Sequence, residues 1–123
     1  MCFCEPPFET LSNLSGIGYK VFLTRGARLH QMCGKYYLDR KSFPNGWVLA
    51  ENHAEWKHNH LYGFHVFKDE QGAKQHSWCE DRPNVVCQVE YRGAHLLTVV
   101  HFCLSMFKQP QCAVVIAREI RLK

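Results

Sequence analysis

One stretch, residues 63–102, constrains the fold more than any other: GFHVFKDEQGAKQHSWCEDRPNVVCQVEYRGAHLLTVVHF. Its second half alternates. Val85, Cys87, Val89 and Tyr91 interleave with Val86, Gln88 and Glu90, a period of two that places the polar side chains on one face. Arg92-Gly93 then separates this run from a second β-rich run. Glycine tolerates positive φ, so the pattern predicts a β-hairpin turning at Arg92-Gly93. The return run, 94–102, is apolar on both faces, as suits a strand covered on both sides. Val85, Cys87, Val89 and Tyr91 are expected to face the core, with much of 96–102.

The first half of the stretch predicts a strand followed by a helix. Gly63-Phe64-His65-Val66-Phe67 is the strand, Asp69 the candidate N-cap, and the helix runs to Ser77 or Trp78. Gly72 inside it costs about 1 kcal/mol relative to Ala, so this helix needs tertiary support. Pro83 bars its continuation.

The flanking chain packs around this unit. Pro7, Phe8, Leu11, Leu14 and Gly16 read as a short amphipathic helix or arm over residues 1–17, laid on the sheet. Residues 18–23 form a first strand and Arg25-Gly26 a turn. A second β-rich segment spans 29–38, with Tyr36, Tyr37 and Leu38 as its strongest part. Pro44-Asn45-Gly46 is a turn signal, and residues 47–50 a short strand or the start of a helix. Residues 51–60, ENHAEWKHNH, form an exposed helical turn and loop. A final strand spans 112–122, with Val114, Ile116, Ile120 and Leu122 on one face. The expected fold is α+β: one domain over residues 1–123, with a twisted, mostly antiparallel sheet of about five to seven strands and one or two short helices.

Length and composition bound the function. A chain of 123 residues with 46% hydrophobic content fits one globular domain. No apolar run approaches the roughly 20 residues of a membrane helix, and no signal peptide is recognisable. The seven cysteines are therefore expected as reduced thiols in a cytoplasm. A net charge of +4 without an Arg- or Lys-rich helix argues against nucleic acid as the partner.

Motifs for chemistry are sparse. Cys2-x-Cys4, His58-x-His60 and His76-x-x-Cys79 are short chelating spacings, but zinc needs four ligands from paired sites and no C-x-x-C is present. No metal and no cofactor is expected. Gly16-Ile17-Gly18 precedes a strand rather than a helix, so it is no phosphate loop. Lys20 and His65 each sit mid-strand among aromatics, where a polar side chain either meets solvent or lines a cleft.

Four segments, GYKVF (18–22), GFHVFKDEQGAK (63–74), VVCQVEYRGAH (85–95) and VVIAREIRL (114–122), resemble a group of small phage and prophage proteins. The resemblance implies a phage-derived protein in a host cytoplasm and no particular activity. GFHVFKDEQGAKQHSW is also similar to the strand-then-helix element of mono-ADP-ribosyltransferase-like domains. That likeness implies a nucleotide cleft served by the first, middle and late strands, here Lys20, His65 and Glu119, with Glu90 a second acidic candidate. Lys20 and His65 are not the residue types of that family.

Three readings follow. The preferred one is a non-enzymatic protein that binds a host or phage protein, for example as an inhibitor of a host system. The second is an ADP-ribosyltransferase-like enzyme, in which Lys20, His65 and Glu119 converge on one cleft. The third is a structural component of a virus particle, with oligomerisation. In the preferred reading Lys20, His65 and Glu119 face solvent separately. The recognition surface is then Trp56, His58, His60 and Tyr62.

Overall fold

In the computed structural model, residues 9–32, 34–50, 56–57, 60–61, 63–97 and 114–123 are described. Cys2, Cys4, His58, Tyr62, Cys103, Cys112, residues 98–102 of the expected return run and the 105–111 loop lie outside them.

A long first strand, β1 (Glu9–Arg25), turns at Gly26-Ala27 into β2 (Arg28–His30). Gly26 has φ 62°, as a two-residue turn demands. A 3₁₀ turn (Gly34–Tyr36) and β3 (Val48–Leu49) follow. Then come the short strands β4 (Trp56–Lys57) and β5 (His60–Leu61), which pair only with each other. Next are β6 (Phe64–Phe67), α1 (Glu70–Cys79), β7 (Asn84–Leu97), β8 (Val114–Ala117) and β9 (Glu119–Leu122). The main sheet has seven strands in the order β2-β1-β6-β8-β7-β9-β3, and β1 also pairs with β7. The ring β1-β6-β8-β7 therefore closes on itself as a small barrel, and every pairing among the described residues is antiparallel.

The expected hairpin at Arg92-Gly93 is not there. β7 runs straight through it and stays paired to β1, from Asn84 opposite Leu23 to Leu97 opposite Glu9. Between the pairs Gly16↔Tyr91 and Leu14↔Ala94, β1 advances two residues and β7 three, so β7 carries a bulge at Arg92-Gly93. Gly93 does have positive φ, 63°, but the conformation bends a strand instead of reversing it. On its other side β7 pairs with β9 up to Arg92↔Glu119 and with β8 from His95↔Ile116. The final strand bends at the same level. Arg118 separates β8 from β9, and its N–H donates to the Gly93 carbonyl at 3.3 Å.

The expected helix over residues 1–17 is, from Glu9 onward, strand. Asn13 (φ 59°) supplies an extra residue between Leu11↔Leu96 and Leu14↔Ala94. A bulge breaks the two-residue alternation, and the resulting three-residue spacing imitates one helical turn. Residues 36–38 likewise belong to no strand. The helical turn expected within 51–60 gives way to the β4–β5 pair where that segment is described.

Two apolar layers result. Phe22, Phe64, Val66, Val89, Tyr91, Ala94, Val115, Ala117 and Ile120 come from every strand of the ring and from β9, and fill the barrel. Phe43, from the segment between the 3₁₀ turn and β3, joins them: its ring lies 5.1 Å from that of Phe22 and 5.9 Å from that of Phe64. Each buried Val, Ile or Phe among them contributes roughly 1.5–3 kcal/mol. The second layer, Val21, Phe67, Ala73, Val114 and Ile116, lies between the sheet and α1. Val89 and Tyr91 face inward as expected and Cys87 is half-buried, but Val85 is 39% exposed. In the last strand Val115 and Ala117 share the barrel interior with Ile120, whereas Val114 and Ile116 face α1, because the bend at Arg118 switches the alternation.

α1 begins at Asp69, whose backbone is extended as an N-cap requires but whose side chain makes no capping bond. Lys74 and Glu70 pair at 2.9 Å across one turn. Asn84 secures the far end: its amide donates to the carbonyls of Ser77 and Arg82, and its Oδ1 meets the Ser77 hydroxyl. Among the described residues no helix is long and apolar enough to cross a membrane.

Candidate functional site

β1 and β6 lie side by side, but Glu119 falls on β9, which pairs with β7 and β3 and is separated from β6 by β8 and β7, so the candidate side chains do not converge. Lys20 lies near Val66 across the β1–β6 pairing and shares the barrel-interior face with Phe22. Its amine donates to the His65 carbonyl at 3.2 Å and sits 5.8 and 5.9 Å from the Phe22 and Phe64 ring centres. The His65 side chain alternates to the opposite face, toward α1, with Val21 and Ile116. Glu119 is on the outer surface. The solvent-facing arrangement expected of a binding module is also not what forms, because Lys20 and His65 are both buried. Strands in the middle of a closed ring are covered on both sides, here by the barrel interior and by α1. Trp56 and His60 fall in β4 and β5.

The arrangement with recognisable chemistry is on the outer face of β7 and β9. Arg92 stands opposite Glu119, and Glu90 opposite Arg121. Arg92 donates to both Glu119 oxygens, Nε at 2.6 Å and Nη2 at 3.1 Å, and Arg121 Nη2 donates to Glu90 at 2.8 Å. The Arg92 hydrogen bonds hold the Glu119 carboxyl below the usual carboxylate range and raise the guanidinium. Both guanidinia lie on Trp47, which immediately precedes β3: Arg92 is 3.9 Å and Arg121 4.8 Å from its ring centre. Each carboxylate thus orients a guanidinium, and the two guanidinia orient the indole.

Apolar side chains flank this cluster. Leu49, 60% exposed, lies opposite Glu119 on β3, and Ile17, also exposed, lies opposite Glu90 on β1. Arg118 projects at the bend, and Lys123 closes the strand with its N–H on the Gln88 carbonyl. Four cations (Arg92, Arg118, Arg121, Lys123) against two carboxylates make the face basic. A second exposed aromatic, Trp78 (87%), stands on α1.

Trp47, Arg92 and Arg121 are absent from the sequence-based candidates, but they left a signal. EYR at 90–92 and EIR at 119–121 are the same Glu-x-Arg pattern on two β-rich runs. Antiparallel pairing of two such triplets places each Glu opposite an Arg. Among the described residues no cluster of three His, Cys, Asp or Glu side chains is arranged to hold a metal ion. No protein-family model, curated protein or solved structure matches the chain.

Proposed function

We propose that this is a small, phage-derived protein that acts in a host cytoplasm by binding a host or phage protein, and that it docks through the Trp47 face. The observation that carries the reading is the indole clamped by two carboxylate-braced guanidinia between exposed Leu49 and Ile17. Trp and Arg dominate the energetics of protein interfaces, and side chains ordered before docking lose little entropy on binding. The basic balance of the face selects an acidic partner surface with an apolar centre. The phage setting is supported by the four sequence segments that resemble phage and prophage proteins.

Affinity capture from host lysate, with mass spectrometry, compares the wild type with Leu49→Asp, Trp47→Ala and Trp56→Ala. The expected result is one protein retained by the wild type and by Trp56→Ala and lost from the two face variants. Loss only in Trp56→Ala transfers recognition to the β4–β5 segment. Calorimetry with NAD tests the transferase-like alternative: micromolar binding abolished by His65→Ala would overturn the binding-protein reading.

A further inference from the structure

Several imidazoles sit on the side of the sheet that carries α1. His76, on α1, is 4% exposed, with its ring centre 5.7 Å from that of Phe67. His65, on β6, is buried on the same face of the sheet as Phe67. His30, opposite Leu23 at the end of β2, is 2% exposed, and neither of its ring nitrogens has a hydrogen-bond partner among the described residues.

α1 is poorly equipped to stay seated by other means. Its buried residues are Gly72, Ala73 and His76, so the imidazole is the one large side chain that it buries completely. Glycine in a helix interior is unfavourable, and the Asp69 side chain makes no cap. Burial beneath the helix makes the cationic imidazole costly, and lifting α1 relieves that cost by exposing the ring to water.

We propose that α1 is an acid-released latch: neutral His76 seats it on the sheet, and protonation lifts it while the closed β1-β6-β8-β7 ring persists. The ring has its own core of Phe22, Val66, Val89 and Val115, whereas His65 and His76 lie on the α1 side of the sheet. The groups around His76 are mixed in sign. β6 contributes His65; β1 contributes Tyr19; β7 contributes His95, opposite Ile116; Glu80 follows the helix, and the Lys20 ammonium acts from the barrel side of the sheet. Glu80 favours the cation but is engaged by Arg82 at 2.7 Å, and Lys20 opposes it. Burial dominates and holds His76 down to about 4 from its ordinary 6.5. A base whose pKa is lowered by folding stabilises the folded form fully above 6.5, and that stabilisation is lost as the pH falls toward 4. Lifting α1 uncovers Val21, Phe67, Val114 and Ile116, while Asn84 tethers the C-terminal end of the helix.

Amide hydrogen exchange of the full chain, corrected for intrinsic rates and followed from neutral pH downward, tests this. The expected result is loss of protection in residues 70–79 between pH 6.5 and 4, with residues 64–67 and 114–117 still protected. His76→Phe keeps a ring against Phe67 but takes no proton, and is expected to move the α1 transition down by about one pH unit or more. Simultaneous loss in α1 and the ring, or an unmoved transition in His76→Phe, overturns the proposal. Should that variant not fold, proton NMR titration of His76 in the wild type decides: titration near 6.5 with α1 still protected refutes the latch.

Discussion

Gly18 is a position where one methyl group has nowhere to go. A Cβ there would lie 2.5 Å from Val66 Cγ1 and 2.7 Å from the Phe67 carbonyl oxygen, and the latter is backbone that cannot rotate away. Gly18→Ala is expected to lower stability by roughly 1–3 kcal/mol, read as a reduced urea midpoint at unchanged slope. Val89 and Val85 form a matched pair four residues apart on one strand. Val89 is fully buried and Val85 is 39% exposed. Val89→Ala should cost roughly 1–3 kcal/mol by opening a cavity, and Val85→Ala less than about 0.5 kcal/mol. Equal losses would mean that β7 is paired in another register. Alternation told Val89 and Tyr91 from their polar neighbours, but Val85 and Val89 have the same parity. Which end of the strand leaves the core depends on the covering elements, and a single strand holds no record of those.

At the scale of elements, the bulge at Gly93 and the bend at Arg118 act together. A Cβ on Gly93 would lie 3.0 Å from Arg118 Cβ, and Gly93 also holds φ 63°. Gly93→Ala is therefore expected to lose roughly 1–3 kcal/mol, from the left-handed backbone and from the crowding at Arg118. Equilibrium urea unfolding measures it, and a neutral effect would place the bend elsewhere. Asn84 is the corresponding fastener of α1. Asn84→Ala removes its bonds to the Ser77 and Arg82 carbonyls and is expected to cost roughly 1–3 kcal/mol, with the largest gain in exchange at the C-terminal turn of α1. The strand, helix and loop of residues 63–84 were legible from local pattern alone. The reading failed at Arg92-Gly93 and over residues 9–17 because each carries a bulge: at Asn13 the extra residue imitates helical spacing, and at Gly93 the positive φ imitates a turn. A residue with positive φ is compatible with a reversal and with a bulge, and the choice is made by whether a partner strand continues alongside. β1 continues beside β7 through the whole region.

For the whole molecule, acid is the expected weakness. Burial lowers His76, and the Arg82 hydrogen bond lowers the Glu80 carboxyl below 4.5. Each contributes stability at neutral pH: the His76 share declines as the pH falls from 6.5 toward 4, and the Glu80 share declines as the carboxyl protonates below 4.5. Thermal unfolding should therefore show a Tm that falls steadily on acidification, and a Tm rising toward acid would contradict both assignments. Seven titratable thiols are expected in the denatured, unreduced chain; Cys87 is a free thiol in the structure.

The candidate site divides along the same line. Lys20, His65 and Glu119 were chosen as polar residues in β-rich runs; β1 and β6 are neighbours, but the bend at Arg118 carries Glu119 onto β9, beside β7 and β3. Whether their side chains meet depends on register parity, which turns on single-residue bulges. The Trp47 face joins Trp47 to arginines 45 and 74 positions further along the chain, and only the pairing of β3 with β9 and of β9 with β7 brings them together. By itself the sequence determined the α+β composition, the β6–α1 unit, the Gly26 turn and the alternation of β7. These depend on side-chain period and on the φ preference of a few residues, which are local. The tertiary structure alone decided that the sheet closes into a barrel, that Gly93 bends a strand, that Lys20 and His65 are buried on opposite faces and that Trp47 lies between two arginines. Those outcomes depend on pairing between distant strands, where a shift of one residue exchanges inside for outside.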